Sequence, residues 1–293
     1  MRVTNSMIQT NATLALQSNL QAMAQAQTQV STGLKYSSFA DDPQAQSSIM
    51  QTSTSLNALT QYQRNISDAT GRANMEDTVL QQLTDLVTRA TAIATQQGSA
   101  TSTAANRAAA KQEVDGILTS AVAAGNTQYL GTYLFGGDNT TSAPLTNTAP
   151  FYSGSAPTGA HTTEISAGQL FKSNHNAKEI FLDTGTLQAL QNLSTALGNN
   201  DTAGIGTALG ALNTAQQGVQ GVVGDLGARE NQLQVTGSNI TALQSSLTTF
   251  KSNLSNVDQE KAITDLVTRQ TAYQSAMLAT SRVLGMTLTD YLK

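Results

Sequence analysis

Two long stretches of apolar residues at alternating spacings of three and four residues constrain the fold most strongly. This spacing keeps apolar side chains on one face of an α-helix over many turns, and it predicts a helix that packs along a partner helix. In the first stretch, which we call the first seam, Glu76 is the one position that is neither apolar nor aromatic. Its positions are Leu59, Tyr62, Ile66, Ala69, Ala73, Glu76, Leu80, Leu83, Val87, Ala90 and Ala94.

The second seam lies in the opposite half of the chain, and we expect its helix to pack against the helix of the first seam. Each Leu or Ile buried in such a seam stabilises the fold by about 1.5–3 kcal/mol. Packing is needed because residues such as Thr, which are abundant here, favour helices only weakly. The positions of the second seam are Leu226, Arg229, Leu233, Thr236, Ile240, Leu243, Leu247, Phe250, Leu254 and Val257.

Both ends of the chain carry a weaker version of the same pattern and predict amphipathic helices without an obvious local partner. Two interpretations are open. The terminal helices pack within one chain as ordinary bundle helices, or each packs against a neighbouring subunit. The second interpretation makes their apolar residues a candidate assembly interface. The candidate residues are Val3, Met7, Leu14, Leu20, Met23, Val30, Ile263, Leu266, Tyr273, Met277, Leu284, Leu288 and Tyr291.

Local signals predict where several helices begin and end. Gly33 interrupts the first helix, and Asp42 can cap the next helix with Pro43 at its first position. A polar break at residues 98–103 precedes an Ala-rich helix over about residues 104–124. Three helices are therefore predicted before residue 126.

The composition changes between residues 129 and 183, which hold three of the four prolines, four of the six Phe and both His. Short aromatic segments between Gly, Asn and Pro turns predict a small β domain inserted into the chain. The expected strands are residues 133–135, 162–166 and 179–182, and helices resume at about residue 186. The fold class is thus mainly α: an elongated helical bundle or coiled coil with a small β insertion. The predicted divisions are 1–40, 41–128, 129–183, 184–257 and 258–293.

The composition excludes several classes of protein. Only 12 % of residues are charged, against about 25 % in an average domain, while 117 of the 293 residues are Thr, Ser, Asn or Gln. The absence of Cys excludes disulfides and thiolate metal sites, and a net charge of −4 without a basic cluster offers no nucleic-acid surface. No apolar run approaches the ~20 residues that span a bilayer. The start of the sequence also lacks the apolar core of a cleavable secretory signal, so any export is expected to use another route.

Few residues offer catalytic or metal-binding chemistry. Asp41 and Asp42 are interpreted as a helix cap with a solvated neighbour rather than a pair of catalytic carboxylates. His175 has only Glu179 at a metal-ligand spacing, and we interpret it as part of a polar surface turn. The sequence therefore predicts no enzyme activity, no metal and no cofactor.

Several motifs together resemble the bacterial flagellin superfamily. They are the opening residues 1–4 with Met7, residues 31–35 followed by 41–43, residues 225–233 and residues 288–292. The Asp-Asp-Pro at 41–43, the Tyr-Leu-Phe-Gly-Gly at 133–137 and the Asp-Tyr-Leu ending are more similar to the hook-associated branch of the superfamily, which forms the hook–filament junction. The resemblance covers about residues 1–137 and 185–293.

The resemblance implies an axial structural protein outside the cell, exported by the flagellar type III apparatus without cleavage. It implies that the terminal helices are largely disordered before assembly and then form a coiled coil lining a tube, with the β insertion facing outward. The implied partners are other copies of the chain, hook-associated protein 1, flagellin, and a cytoplasmic export chaperone on the C-terminal helix. No nucleic acid and no membrane span are implied.

Three alternatives are open. The nearest is a short filament flagellin. A signalling coiled coil, such as the cytoplasmic region of a chemoreceptor, would share long antiparallel helices but would need a membrane span and more surface charge. An enzyme within residues 129–183, such as a cell-wall hydrolase, is the third.

Overall fold

The computed structural model describes the backbone of residues 5–290 and the side chains of residue 7 and residues 9–282. The chain is mainly helical with two small antiparallel sheets near its middle, which confirms the predicted fold class. The helices are α1 Asn5–Thr32, α2 Pro43–Gln97, α3 Ala104–Gly125, α4 Thr186–Gly198, α5 Thr202–Ser255 and α6 Gln259–Asp290, with a π-helical turn at Lys178–Leu182. The strands are β1 Gln128–Tyr129, β2 Thr132–Tyr133, β3 Thr162–Ser166 and β4 Gln169–Lys172.

The predicted helix starts at Pro43 and Ala104 are confirmed by their caps. The Asp42 carboxylate accepts hydrogen bonds from the backbone N–H groups of Gln44 and Ala45 at 3.1 and 3.0 Å. The Thr103 hydroxyl accepts one from the N–H of Asn106 at 3.2 Å. Each cap satisfies N–H groups that have no partner within the first turn of a helix.

The chain forms two compact units. We call Met1–Ala58 with Leu243–Lys293 the terminal unit, and Leu59–Ala242 the central unit. The central unit contains α3, α4, the β-strands and the greater parts of α2 and α5. The terminal unit contains α1, α6 and the remaining ends of α2 and α5.

Within the central unit, α2 and α5 run antiparallel and pack together, with Leu226 of the second seam in the same apolar cluster as first-seam residues such as Leu80. An added Cβ at Gly237 of α5 would lie 3.6 Å from Cγ2 of Ile66, and one at Gly98 would lie 3.7 Å from Cγ2 of Ile205. Ile66 and Gly98 are as many residues apart as Ile205 and Gly237. The two helices therefore keep the same register between these two contacts. The predicted pairing of the two seams is therefore confirmed in this unit.

Burial follows the first seam closely and the second seam only in part. Every first-seam position is buried except Tyr62, which is half-buried. In the second seam, Leu226, Leu233 and Ile240 are buried. Leu243 and Phe250, which belong to the terminal unit, are about half exposed instead of buried. The sequence pattern continues where the burial does not.

The middle of the chain shares its core with the helices. Phe135 and Phe181 are fully buried and meet edge to face, with ring centroids 5.9 Å apart and planes at 73°. Both rings belong to the same apolar cluster as the inward-facing residues of α2, α3, α4 and α5. The aromatic residues that predicted a β region thus pack on the helical core.

Of the three expected strands, residues 162–166 are confirmed as β3. The prediction for residues 179–182 was wrong, because these residues form most of a π-helical turn. Asn176 and Glu179 explain the turn: each side chain accepts a hydrogen bond from the backbone N–H of the other residue, at 2.9 and 3.2 Å. This reciprocal capping favours helical geometry over an extended strand. The prediction for residues 133–135 was correct only for Tyr133, which ends β2.

In the terminal unit, α1 and α6 pack along each other. A short antiparallel bridge pairs Leu34, which follows α1, with Asn256, which lies between α5 and α6. The N–H of Lys35 donates to the carbonyl of Ser255 at 2.7 Å, and the N–H of Val257 donates to that of Gly33 at 2.9 Å. Gly33 has a φ of 72°, a conformation that glycine adopts without strain at the end of a helix. The bridge holds the two terminal helices side by side at one end.

Candidate assembly surface

The terminal unit buries very little apolar side chain. Among the side chains that the structure describes, its buried apolar residues are Ala26, Ala45 and Ala262. Alanine methyl groups permit two helices to approach closely but remove little apolar area from water. Most of the larger apolar side chains in this unit therefore have to find cover elsewhere or stay exposed.

The candidate interface residues divide into three groups in the structure. Met7, Leu14, Leu20, Ile263 and Met277 are exposed, each with between 44 % and 56 % of its area accessible. Met23, Val30, Leu266 and Tyr273 are half-buried. Val3, Leu284, Leu288 and Tyr291 lie outside the described side chains. The structure thus brings α1 and α6 together in one chain while leaving several of their apolar side chains uncovered.

Other exposed apolar residues of the terminal unit were not among the candidates. They are Leu34, Phe39, Met50, Leu243, Phe250, Val267 and Leu278. Val267 and Leu278 directly follow the candidate residues Leu266 and Met277. The sequence pattern selects about one residue per helical turn, so it leaves out these neighbouring positions. We call the exposed candidates and these seven residues together the terminal apolar surface. Clusters of exposed apolar side chains mark places where a protein contacts another protein.

Charge is nearly absent from one of the two helices. The 28 residues of α1 contain no Asp, Glu, Lys or Arg. In α6, charged residues such as Asp265 and Arg269 form an ion pair at 2.7 Å on the helix surface. A contact made through α1 therefore removes no charge from water, and each half-exposed Leu that becomes covered stabilises it by about 1 kcal/mol.

The two adjacent aspartates are structural, as the sequence indicated. Hydrogen bonds from the backbone of Ser38 and Ser37 lower the pKa of the Asp41 carboxyl. A backbone hydrogen bond from Ala45 lowers the pKa of Asp42, the helix cap. Both groups are therefore anions engaged with their own loop, which favours the cap over acid–base chemistry.

His175 occupies a different environment from the one predicted. The interpretation as a surface turn was wrong, because His175 is only 5 % exposed and Glu76 beside it is fully buried. Nδ1 of the ring contacts the Glu76 carboxylate, and Nε2 lies 2.9 Å from Oδ2 of Asp225. Nε of Arg229 lies 2.6 Å from the same oxygen. A charged residue inside an apolar seam needs a buried partner, so Glu76 was the sequence signal that could have located this cluster.

The described residues offer little chemistry beyond this cluster. Among them, no group of His, Asp and Glu side chains has an arrangement that could hold a metal ion. Within residues 5–290, no helix combines the length and apolar character that crossing a bilayer requires. The terminal apolar surface is the main candidate for function.

Comparison with known families identifies the two helical halves of the chain. Residues 3–140 match the family model of the bacterial flagellin N-terminal helical region. Residues 209–292 match that of the bacterial flagellin C-terminal helical region. The chain belongs to the bacterial flagellin family. It is therefore a structural component of the flagellum, as the motifs at both ends of the sequence indicated.

Solved structures show that this flagellin-family chain shares its fold with hook-associated proteins. A putative flagellar hook-associated protein from Vibrio parahaemolyticus is 21 % identical, with a TM-score of 0.67 over 74 % of this chain and 100 % of the other. FlgL from Bacillus cereus is 22 % identical, with a TM-score of 0.59 over 68 % and 97 %. Hook-associated protein 3 from Legionella pneumophila is 13 % identical, with a TM-score of 0.63 over 70 % and 98 %. No curated protein sequence matched the chain.

Proposed function

We propose that this protein is a hook–filament junction subunit, which joins hook-associated protein 1 on the hook side to flagellin on the filament side. The observation that carries the proposal is the terminal apolar surface. It lies on the two end helices of a flagellin-family chain, one of which has no charge, and neighbouring subunits would bury it. The fold shared with proteins described as hook-associated supports the junction role over other axial positions.

Physical chemistry favours several partners for the same surface at different times. Other copies of the chain in the junction ring would cover apolar residues of α1 and α6. Before export, exposed residues of α6 such as Ile263, Val267 and Leu278 would aggregate unless a cytoplasmic chaperone covered them. The thirteen candidate residues between Val3 and Tyr291 form the proposed interface.

The proposed arrangement places residues 1–40 and 258–293 on the inside of a tube. Residues 41–128 and 184–257 form the helical body around them, and residues 129–183 face outward. The terminal helices reach their final packing only in the assembled tube. The protein acts outside the cell, on the flagellum, after export without cleavage.

The test is electron microscopy of cells in which the gene is deleted. Hooks should end bare, and filament protein should be shed into the medium. Complementation with the unchanged gene should restore filaments. Complementation with Leu14→Asp should not, because the new carboxylate would be buried without a partner once α1 is covered. Val235→Asp is the matched control, since Val235 is 60 % exposed but belongs to the central unit.

Two results would contradict the proposal. Filaments of normal number on deletion cells would remove the junction role. Normal filaments on Leu14→Asp cells would show that the terminal apolar surface is not the assembly interface. Circular dichroism of both variants checks that neither change unfolds the chain, as expected for exposed positions.

A short filament flagellin is the second candidate, because both family models that match are those of flagellin itself. The number of copies per flagellum separates the two. A filament subunit is present in vast excess over a junction subunit, so quantitative immunoblotting of isolated flagella against the hook protein decides between them.

A further inference from the structure

The His175 side chain joins two helices that are far apart in the sequence. It reaches Glu76 of α2 through Nδ1 and Asp225 of α5 through Nε2. The backbone N–H of His175 also donates to Oε2 of Glu76 at 3.4 Å. The segment that carries His175 follows β4 directly, so this one residue fastens the mid-chain insertion to both long helices of the central unit.

Burial makes the charge of this cluster important. Glu76 is fully buried, and the hydrogen bonds that its carboxylate accepts in the described structure come from His175. A buried carboxylate without a positive partner is strongly disfavoured, because it loses its hydration and gains nothing in return. His175 is the side chain that the structure places against this carboxylate.

The two ring nitrogens decide which form of the imidazole fits. A neutral imidazole has one N–H donor and one lone pair, whereas an imidazolium has two donors. Both nitrogens of His175 face carboxyl oxygens, so a neutral ring between two ionised carboxylates would set a lone pair against one of them. We propose that His175 is held as an imidazolium in the folded chain and that its proton fastens the insertion to α2 and α5.

The other charged groups around the ring agree with a positive His175. Together, Glu76 and Asp225 balance His175 and Arg229, whereas a neutral His175 would leave one negative charge in excess. Burial raises the pKa of Asp225, but the charges of Arg229 and His175 outweigh it and hold that pKa below its ordinary value. Burial likewise raises the pKa of Glu179, and hydrogen bonds from Lys172 and Asn176 outweigh it. Lys172 and Glu179 form their own ion pair at 2.7 Å.

A second, uncharged attachment lies further along α2. The side-chain amide of Asn65 donates to the backbone carbonyl of Glu164 in β3 at 2.7 Å. Loss of the His175 proton would therefore weaken the attachment around residue 175, while the hydrogen bond from Asn65 to the β3–β4 hairpin would remain. The insertion thus has contacts with α2 that depend on a proton as well as contacts that do not.

Nuclear magnetic resonance of the full chain tests the proton directly. His161 and His175 are the two histidines of the sequence, so labelling histidine with nitrogen-15 gives two imidazole signals. His161→Gln assigns them. At pH about 7.5, above the ~6.5 of an ordinary histidine, both nitrogens of His175 should carry protons. A neutral pattern for His175 at this pH overturns the proposal.

The dependence of stability on pH gives a second test. An unfolded histidine releases its proton near pH ~6.5, so unfolding above that pH would release the proton that the folded chain retains. Stability should then fall as the pH rises above ~6.5, with the unfolding equilibrium constant growing by up to about tenfold per pH unit. Urea unfolding followed by circular dichroism measures this slope. His161→Gln should keep it and His175→Gln should lose it, and an equal slope in all three proteins overturns the proposal.

Discussion

The terminal and central units use the same secondary structure but bury different side chains. The central unit buries large residues such as Leu80, Leu83, Phe135 and Phe181 completely. In the terminal unit, the buried apolar residues among the described side chains are alanines. The central unit therefore has a core of large buried side chains, whereas the large apolar side chains described in the terminal unit are exposed or half-buried. Helical periodicity alone does not distinguish these two situations.

Hydrogen exchange on the monomer gives the largest expected difference between the units. Opening of the central unit requires exposure of its core, whereas opening of α1 and α6 exposes mainly alanine, so exchange should be roughly a thousandfold slower in residues 79–94 than in residues 9–32. Mass spectrometry of the deuterated chain measures both. Equal protection of the two regions in dilute solution would show that the terminal unit is as stable as the central unit, contrary to this prediction.

Truncation of a large residue should have a strong effect in the central unit only. Phe181→Ala removes a fully buried ring that packs on Phe135, and it should lower the free energy of unfolding by about 3–5 kcal/mol. Leu278→Ala, at an exposed position of α6, is the control and should change it by less than about 0.5 kcal/mol. Urea titration measures both, and a comparable loss in the control would show that α6 is buried in the monomer.

The ends of the central helices depend on one buried arginine. Nε of Arg107 donates to the carbonyl of Gln97 and Nη2 donates to that of Ser99, both at 3.0 Å, which satisfies groups at the end of α2. Arg107→Ala should cost about 1.5–3 kcal/mol, because both carbonyls lose a charged donor. Arg64→Ala, at an exposed position of α2, should be nearly neutral. A similar loss in both variants would show that the two carbonyl contacts of Arg107 are not the cause.

Acid should destabilise the central unit by a smaller amount. Burial raises the pKa of Asp115, but hydrogen bonds from Lys111 and Ser194 outweigh it, so the folded carboxyl has a lowered pKa. A lowered folded-state pKa contributes stability above the ordinary pKa of ~4, and this contribution disappears as the pH falls below it. Thermal unfolding between pH ~5 and ~2.5 should show a shallower decline for Asp115→Asn than for the unchanged chain. An equal decline of stability in the two proteins would show that Asp115 does not contribute to the loss of stability in acid.

The sequence predicted best what depends on neighbouring residues. Asp42 with Pro43 and the break before Ala104 located helix starts correctly, because capping is a local interaction. Burial was harder, since Leu233 and Phe250 share one apolar pattern but only Leu233 is covered. That difference depends on what lies opposite each position, and the pattern itself contains no such information.

The His175 cluster could not be predicted from the sequence either, because it joins residues that are far apart along the chain. Glu76 is the one charged position of its seam, and His175 lies far away in the sequence, in a polar segment. Nothing in either neighbourhood relates the two, because they meet only when the middle of the chain packs on α2. Contacts between distant residues require the three-dimensional arrangement, whereas the identity of the family could be read from short motifs at both ends.

The uncharged sequence of α1 has a consequence for the conditions under which the protein can work. Dissolved salt weakens attraction between charged surfaces, because mobile ions gather around each charge. A helix with 28 consecutive uncharged residues offers those ions nothing to neutralise. Contacts made through α1 should therefore keep their strength from fresh water to brine, which suits a part of the cell that is bathed directly by its surroundings.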